Sequence, residues 1–159
     1  MILYSVMIDL DETDLTILRE LQKDGRISNV ELAQRIKLSP PATHARLKQL
    51  QEQGYIRQYV ALLDKEKVGF DLTCFVNCSL QLHNVEELEG FRAAINEMPE
   101  VLECHHVTGE FDYLLKIVVR NRKELQHFVV ERLTPIPGVA RIYTSLVLTE
   151  VKANTALPI

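Results

Sequence analysis

The sequence lacks most of the features that define enzymes and membrane proteins. It has no run of apolar residues long enough to cross a lipid bilayer and no low-complexity segment. It also has no Gly-rich phosphate-binding loop, no grouping of Ser, His and Asp, and no metal-ligand spacing. We therefore predict no catalytic residue, no cofactor and no metal site. The apolar first residues, MILYSVMI, lack the basic region and the cleavage site of a signal peptide, and either Met1 or Met7 can be the natural start.

Cysteine is also scarce. The three cysteines, Cys74, Cys78 and Cys104, are odd in number and show no CxxC spacing. Cys74 and Cys78 fall on one face of a predicted strand, so reduced core cysteines in a cytosolic protein are favoured over a disulfide or a metal site. His105 and His106 are neighbours on another predicted strand. Because they point to opposite faces, they cannot chelate one metal ion together.

The net charge of −4 is unevenly distributed along the chain. Residues 26–57 contain six basic and two acidic side chains, a net charge of +4, whereas the rest of the chain carries −8. A basic segment in an acidic protein is a local electrostatic footprint for DNA. A merely solvated charged surface would not concentrate the positive charge on one motif.

Three short amphipathic helices follow one another in this part of the chain. The first is predicted over residues 11–23, the second begins after an N-cap at Ser28, and the third begins after an N-cap at Ser39 and ends at Gly54. Residues 55–62 then have the pattern of a strand. Because the turn between the second and third helices is only a few residues long, we predict a winged helix-turn-helix, which places its third helix in the DNA major groove.

The outer side of the third helix carries the predicted DNA contacts. Arg46 and Lys48 can reach phosphates or guanine edges, and the small residues Pro41 and Ala45 let the helix lie close to the bases. Helical spacing turns Thr43 toward the inner side. A three-helix module that binds protein instead of DNA is the alternative. The full set of candidate DNA-binding residues is Ser39, Thr43, His44, Arg46, Lys48, Arg35 and Arg57.

The rest of the chain completes an α+β protein, in which the N-terminal winged helix-turn-helix is followed by a ferredoxin-like βαββαβ domain. One helical pattern follows the first strand and another follows the third. We expect the two domains to occupy residues 1–62 and 63–159. Because two helices cover only one face of a four-stranded sheet, we also expect self-association. The four strands are predicted over residues 72–82, 101–108, 113–120 and 139–151.

The loop from Thr108 to Asp112, between the second and third strands, carries more chemistry than a hairpin needs. Gly109 allows close approach of the backbone, and Glu110 and Asp112 lie beside it. Such a loop can hold an α-amino acid, with Asp112 or Glu110 accepting from the ammonium group and backbone amides donating to the carboxylate. By spacing alone, a plain hairpin turn with acidic residues for solubility is the simpler explanation.

Several motifs together resemble the Lrp/AsnC (feast/famine) regulators, and the resemblance covers nearly the whole chain. One departure lies in the third helix, where residues 41–45 differ from the Pro-Thr-Pro-Cys type that is common in the family. The operator sequence is therefore left open. The motifs are Ile8-Asp9, Asp14–Leu18, Leu21–Arg26, Glu31–Ala33, Leu38–Pro40, Arg46 with Leu50, Gly54–Ile56, Gly109–Leu115 and Thr155–Pro158.

The resemblance implies properties that the spacing does not supply. Members are bacterial or archaeal transcription regulators that dimerise through the βαββαβ domain and often assemble dimers into octamers. Many bind an amino acid between the effector domains of neighbouring dimers, using the Gly-Glu-Phe-Asp loop and residues of the last strand. On this basis the candidate effector-binding residues are Thr108, Gly109, Glu110, Phe111, Asp112, Thr144 and Ser145.

We therefore expect a cytoplasmic transcription regulator, and not an enzyme, that forms a homodimer able to assemble into an octamer. Its expected partners are double-stranded DNA, bound in a sequence-specific way, and a small effector, namely an amino acid. Two alternatives stay open. One is an architectural DNA-wrapping protein without an effector, and the other is an amino-acid-sensing module that regulates an enzyme.

Overall fold

The computed structural model describes residues 10–81 and 85–159. The predictions about the first nine residues, and the predicted end of the first strand at Leu82, lie outside the described residues. The chain forms two compact units. One holds Met1–Ala61, of which residues 10–61 are described, together with Lys152–Ile159, and the other holds Leu62–Val151. The last eight residues thus belong by their contacts to the first unit, whereas the sequence had placed them with the second domain.

The first unit contains three helices around a small apolar core. Each helix begins where a side chain satisfies a free backbone amide. Asp11 accepts from the amide of Asp14, Ser28 from that of Glu31, and Ser39 from that of Ala42. The predicted N-caps at Ser28 and Ser39 are confirmed. The helices are α1 (Glu12–Lys23), α2 (Asn29–Ile36) and α3 (Pro40–Glu52). Their buried core consists of Ile17, Leu18, Leu32 and Leu50.

The predicted strand over residues 55–62 is absent, because no strand is formed between Gln53 and Leu72 in the described chain. Gly54 leaves α3 with a φ of +79°, and the amide of Tyr55 returns to the carbonyl of Leu50 at 3.0 Å. Residues 56–63 then form no backbone hydrogen bond to other described residues. A strand exists only when a second strand satisfies its backbone groups, and apolar alternation cannot supply that partner.

The second unit is a four-stranded antiparallel sheet with the strand order β2-β3-β1-β4. The predicted βαββαβ order is confirmed. Strands β2 and β4 end at His106 and Leu146, earlier than the sequence indicated. The strands are β1 (Leu72–Leu80), β2 (Val101–His106), β3 (Tyr113–Val119) and β4 (Val139–Leu146). The helices are α4 (Val85–Asn96) and α5 (Arg122–Gln126), and α5 continues as a π-helical segment (His127–Leu133).

Both helices pack on the same face of the sheet. Phe91 from α4 and Phe128 from the π-helical segment are each 1 % exposed and belong to one core cluster with alternate residues of β1, such as Val76. The opposite face carries Phe75 and Tyr143, which are 37 % and 60 % exposed. The described residues therefore cover one face of the sheet and leave the other uncovered, as the count of helices predicted. Among the described residues, no helix is long and apolar enough to cross a membrane.

Candidate functional site

The turn between α2 and α3 is fixed by backbone hydrogen bonds. Lys37 ends α2 in the left-handed conformation, with a φ of +57°, and the amide of Leu38 donates to the carbonyl of Ala33 at 3.0 Å. Across the turn, Nδ2 of Asn29 donates to the carbonyl of Pro40 at 2.9 Å. These bonds set the direction of α3. Its outer side is exposed at Pro41, His44, Ala45, Lys48 and Gln49, as helical spacing predicted.

Thr43 is not part of that outer surface. Its side chain is fully buried, and its hydroxyl donates to the carbonyl of Ser39 at 3.1 Å. Its inclusion among the DNA-binding candidates was therefore wrong. The helical spacing that turned Thr43 inward was the better guide, because a residue on the core side of a helix cannot reach a groove on the opposite side.

Arg46 is held by α1. One guanidinium nitrogen donates to Asp11 at 2.7 Å and to Asp14 at 2.8 Å. The two carboxylates raise the pKa of Arg46, while the amide of Asp14 and the guanidinium of Arg46 lower the pKa of Asp11. Arg35 is likewise paired, with Glu20 at 2.7 Å and with Glu31 on its own helix. Both arginines connect helices of the first unit, which limits their availability for DNA.

The helix-turn-helix unit therefore offers fewer unpaired basic side chains to DNA than the charge of residues 26–57 suggested. Residues 10–61 contain eight Lys and Arg side chains and seven carboxylates, because α1 supplies acids that the basic segment lacks. Lys48 has an exposed i,i+4 partner, Glu52, at 3.6 Å. Within residues 10–61, only Arg26, Lys37 and Arg57 form no ion pair. Lys37 contributed to the net charge of residues 26–57 but was not among the predicted DNA-binding residues, although it lies in the predicted turn between the second and third helices.

The predicted effector loop is held in place by Asp112. A carboxylate oxygen of Asp112 accepts from the amide of Leu80 at 2.7 Å, and the amide of Asp112 donates to the carbonyl of Cys78 at 3.0 Å. The amide of Val107 donates to the carbonyl of Asp112 at 2.9 Å, which closes the loop. Gly109 within it has a φ of +127°, a conformation that side chains rarely permit. Asp112 is thus engaged in ordering the loop.

Glu110 and Phe111 contact a residue that the sequence analysis missed. Arg141 of β4 lies 3.2 Å from a carboxylate oxygen of Glu110, and its guanidinium lies 5.3 Å from the centroid of the Phe111 ring. The strand order brings Arg141 to the loop, because β4 lies beside β1 and pairs Arg141 with Ser79, which lies between the two anchors of the loop at Cys78 and Leu80. That inference required the register, which the sequence does not contain.

The two candidates on β4, Thr144 and Ser145, lie away from the loop and on opposite faces of the sheet. Thr144 pairs with Val76 and Ser145 pairs with Phe75. As neighbours on a strand they point to opposite faces of the sheet, so they cannot both face one ligand beside the loop. Phe75 lies four residues from Ser79, a distance of roughly 13 Å along the strand. Within one chain, the last strand therefore meets the loop through Arg141, and the roles of Thr144 and Ser145 in effector binding stay predictions.

The described cysteines and histidines form no cluster that would make a second site. Burial raises the pKa of Cys78 to about 12, with a further contribution from Cys104, and burial also raises the pKa of Cys74. Cys104 is exposed, unlike the core position that we predicted for it. His105 contacts Glu103 at 3.1 Å, and His106 stacks on Tyr113. Over residues 10–81 and 85–159, no three His, Cys, Asp or Glu side chains lie close enough together to hold a metal ion.

A helix-turn-helix with an exposed third helix, joined to a βαββαβ domain with an ordered loop, defines a DNA-binding regulator with a separate ligand-binding domain. Comparison with family models agrees. Residues 10–57 match a winged helix-turn-helix DNA-binding model, and residues 73–157 match the Lrp/AsnC ligand binding domain. The chain belongs to the Lrp/AsnC family of transcriptional regulators.

Curated relatives and solved structures cover almost the full chain. It is 43 % identical to the leucine-responsive regulatory protein of Salmonella typhimurium over 95 % of this chain and 92 % of that protein. It is 39 % identical to the transcriptional regulator AzlB of Bacillus subtilis, over 96 % and 97 %. A Neisseria meningitidis transcriptional regulator, solved as a complex with L-Met, is 43 % identical with a TM-score of 0.91, over 94 % and 96 %. These relatives are named as regulators and not as enzymes.

Proposed function

We propose that this regulator acts in the cytoplasm and that an amino acid bound at the loop from Thr108 to Asp112 controls its binding to DNA. The observation that carries the proposal is the anchoring of Asp112 to Leu80, which holds the loop open toward solvent with the carboxylate of Glu110 exposed. In the described chain the amides of residues 108–111 donate no hydrogen bond. An amino acid requires one acceptor for its ammonium group and several donors for its carboxylate, and this loop supplies both.

The neisserial relative supports the class of effector, since that protein was solved with L-Met, and the Salmonella relative is named for its response to leucine. Calorimetry of the full-length chain against the standard amino acids tests the proposal. We expect at least one to bind and to change the affinity for an operator fragment. Absence of binding by every amino acid would favour an architectural role on DNA. The response would arise by population shift, in which the ligand favours one assembly state over another.

For DNA, we propose that α3 enters the major groove with His44 and Lys48 toward the bases and phosphates. Lys37, Arg57 and the amide end of α3 near Ser39 would contact the backbone. Arg35 stays a candidate only through the part of its guanidinium that Glu20 and Glu31 leave free. Because α3 projects its small residues Pro41 and Ala45 outward, the groove can approach this surface closely.

Lys48→Ala tests this docking, and Lys67→Ala is its matched control. Both lysines are exposed, and each pairs with a carboxylate at 3.6 Å, but Lys67 lies in the second unit. If Lys48 contacts a phosphate, its removal should weaken binding to every DNA sequence and lower the slope of log K against log salt by about one unit. Lys67→Ala should leave both unchanged. Equal effects of the two variants would contradict the docking.

We also propose that the uncovered sheet face, with Phe75 and Tyr143, is buried by a second copy of the chain, and that the resulting homodimers assemble further into an octamer. Sedimentation of the full-length chain tests this. A dimer or larger species at micromolar concentration is expected. A stable monomer would contradict it, because the exposed aromatic side chains would then have no partner.

A further inference from the structure

Arg141 is the arginine beside the effector loop, and its contacts are long. Its guanidinium lies 3.2 Å from Oε1 of Glu110, 3.4 Å from the carbonyl of Glu110 and 3.5 Å from Oγ of Ser79. By contrast, the guanidinium of Arg46 lies 2.7 and 2.8 Å from its carboxylates. A charge-assisted hydrogen bond from arginine to a carboxylate has a length of about 2.7–2.9 Å. Arg141 therefore has donors that its present acceptors do not use fully.

The pair of Arg141 and Glu110 is also exposed, with side chains 59 % and 71 % accessible to solvent. Exposed ion pairs contribute little to stability, so little is lost when the partners separate. The ring of Phe111 lies 5.3 Å from the guanidinium and limits where it can move. Arg141 and Glu110 therefore form a weak ion pair. Their positions are fixed mainly by β4, which carries Arg141, and by the loop, which carries Glu110.

These charges match the two ends of an amino acid. We propose that Arg141 binds the carboxylate of the effector and that Glu110 binds its ammonium group, so that a free amino acid opens the Arg141–Glu110 pair and takes its place. The planar guanidinium can bind a carboxylate with two parallel hydrogen bonds. Asp112 is not the ammonium acceptor in this arrangement, since its carboxylate orders the loop through the amide of Leu80. The inference rests on the proposed function and names the residues that select the ligand's charges.

The aromatic pair Phe111 and Tyr143, with ring centroids 6.3 Å apart, lies on the same side as Arg141. Tyr143 and Arg141 alternate along β4 and so share one face of the sheet. An apolar effector side chain placed beside the charges would pack against the ring of Phe111, at the edge of the sheet face that a second copy of the chain is proposed to bury. The arrangement therefore fits a zwitterion with an apolar side chain better than it fits a simple carboxylic acid or amine.

The experiment compares full-length Arg141→Gln with Arg120→Gln by calorimetry, using whichever standard amino acids bind the wild type. Arg120 is a close match, because it also pairs with an exposed glutamate, Glu124 at 3.8 Å, and lies 5.5 Å from an aromatic ring, that of Phe70. Each protein is titrated with the amino acid, with its carboxamide, which lacks the carboxylate, and with the analogue that lacks the amino group. Circular dichroism confirms that the variants fold.

We expect Arg141→Gln to weaken binding of the amino acid roughly ten-fold or more, the effect of losing a hydrogen bond to a charged group, and to remove the preference for the acid over the carboxamide. Glu110→Gln should instead remove the preference for the amino group, and Arg120→Gln should behave as the wild type. If the wild type binds an amino acid and Arg141→Gln binds it equally well with the same preference, this inference fails and the proposed function stands. If the wild type binds no amino acid, both fail.

Discussion

Arg46 on α3 donates to the carboxylate of Asp14 on α1 at 2.8 Å. The Asp14 side chain is only 16 % exposed, and its oxygen is shared with no other basic group among the described residues. The bond therefore joins the helix proposed to enter DNA to the helix that supports it. Arg46, which the sequence predicted to contact DNA, instead orients the helix that carries the other proposed contacts.

We predict that Arg46→Ala lowers the melting temperature of the helix-turn-helix unit, because it leaves the half-buried carboxylate of Asp14 without its partner. Thermal unfolding followed by circular dichroism measures the change. In a double-mutant cycle with Asp14→Ala, the two losses should be smaller together than their sum. Additive losses would show that the ion pair contributes nothing of its own.

Comparing Lys48→Ala with Arg46→Ala distinguishes a residue that contacts DNA from one that stabilises the helix-turn-helix unit. Lys48→Ala should keep the melting temperature and flatten the salt dependence of DNA binding, whereas Arg46→Ala should do the reverse once both proteins are measured well below their melting temperatures. A flattened salt dependence with Arg46→Ala would mean that Arg46 leaves its carboxylates to contact a phosphate.

The pKa of Asp11 predicts a dependence of stability on pH. Its folded-state pKa lies below its ordinary value, first because the amide of Asp14 donates to it and then because Arg46 does. A depressed pKa contributes stability above the unfolded pKa of about 3.9 and loses it as pH falls through the lower folded value. We expect the melting temperature of the wild type to fall more steeply below that pH than that of Asp11→Asn, which keeps an N-cap acceptor without the charge. Parallel curves would contradict the assignment.

In the first unit, features that depend on residues close together in the sequence were predicted, and features that depend on distant residues were not. The caps at Ser28 and Ser39 and the buried face of α3 follow from local spacing, and they were predicted. The bond of Arg46 joins residues 32 positions apart, and the missing strand at 55–62 depends on a partner that local alternation does not reveal. The net charge of residues 26–57 also overstated the positive charge of the first unit, because the acidic residues that neutralise it lie on α1, outside that segment.

Asp112 gives a prediction that separates a structural carboxylate from a ligand-binding one. Asp112→Asn keeps an oxygen that can accept from the amide of Leu80 but removes the charge, whereas Asp112→Ala removes both. If Asp112 orders the loop, Asn should retain most of the effector affinity and Ala should lose it, as measured by calorimetry. If Asp112 instead binds the ammonium group, both variants should lose it. DNA affinity without effector should be unchanged in either case, since Asp112 lies outside the helix-turn-helix unit.

The loop itself could be singled out from sequence because Gly109 and its two acidic neighbours are contiguous. The roles of Glu110 and Asp112 could not be predicted from the sequence, because they depend on which groups the sheet places beside them. Leu80 and Arg141 reach the loop only through the pairing of β1 with β3 and β4. The pattern of alternation defines which residues share a face, but the register that selects Arg141 over Thr144 arises from packing along the full length of the strands.

The last prediction concerns Lys37, which has a positive φ of +57° and is the non-glycine residue with that conformation in the described chain. For a residue with a side chain, this conformation costs on the order of 1 kcal/mol. Lys37→Gly should therefore raise the free energy of unfolding of the helix-turn-helix unit by up to about that amount, while weakening DNA binding through the loss of a free cation.

The control Gln34→Gly, at an exposed position inside α2, should lower the free energy of unfolding by about 1 kcal/mol. Lys37→Asn, which tolerates the conformation but lacks the charge, should weaken DNA binding as much as Lys37→Gly. Denaturant unfolding and fluorescence anisotropy with labelled operator measure the two effects. A Lys37→Gly protein that is less stable than the wild type would show that the lysine side chain supports the turn, and unaltered DNA affinity in both variants would remove Lys37 from the proposed interface.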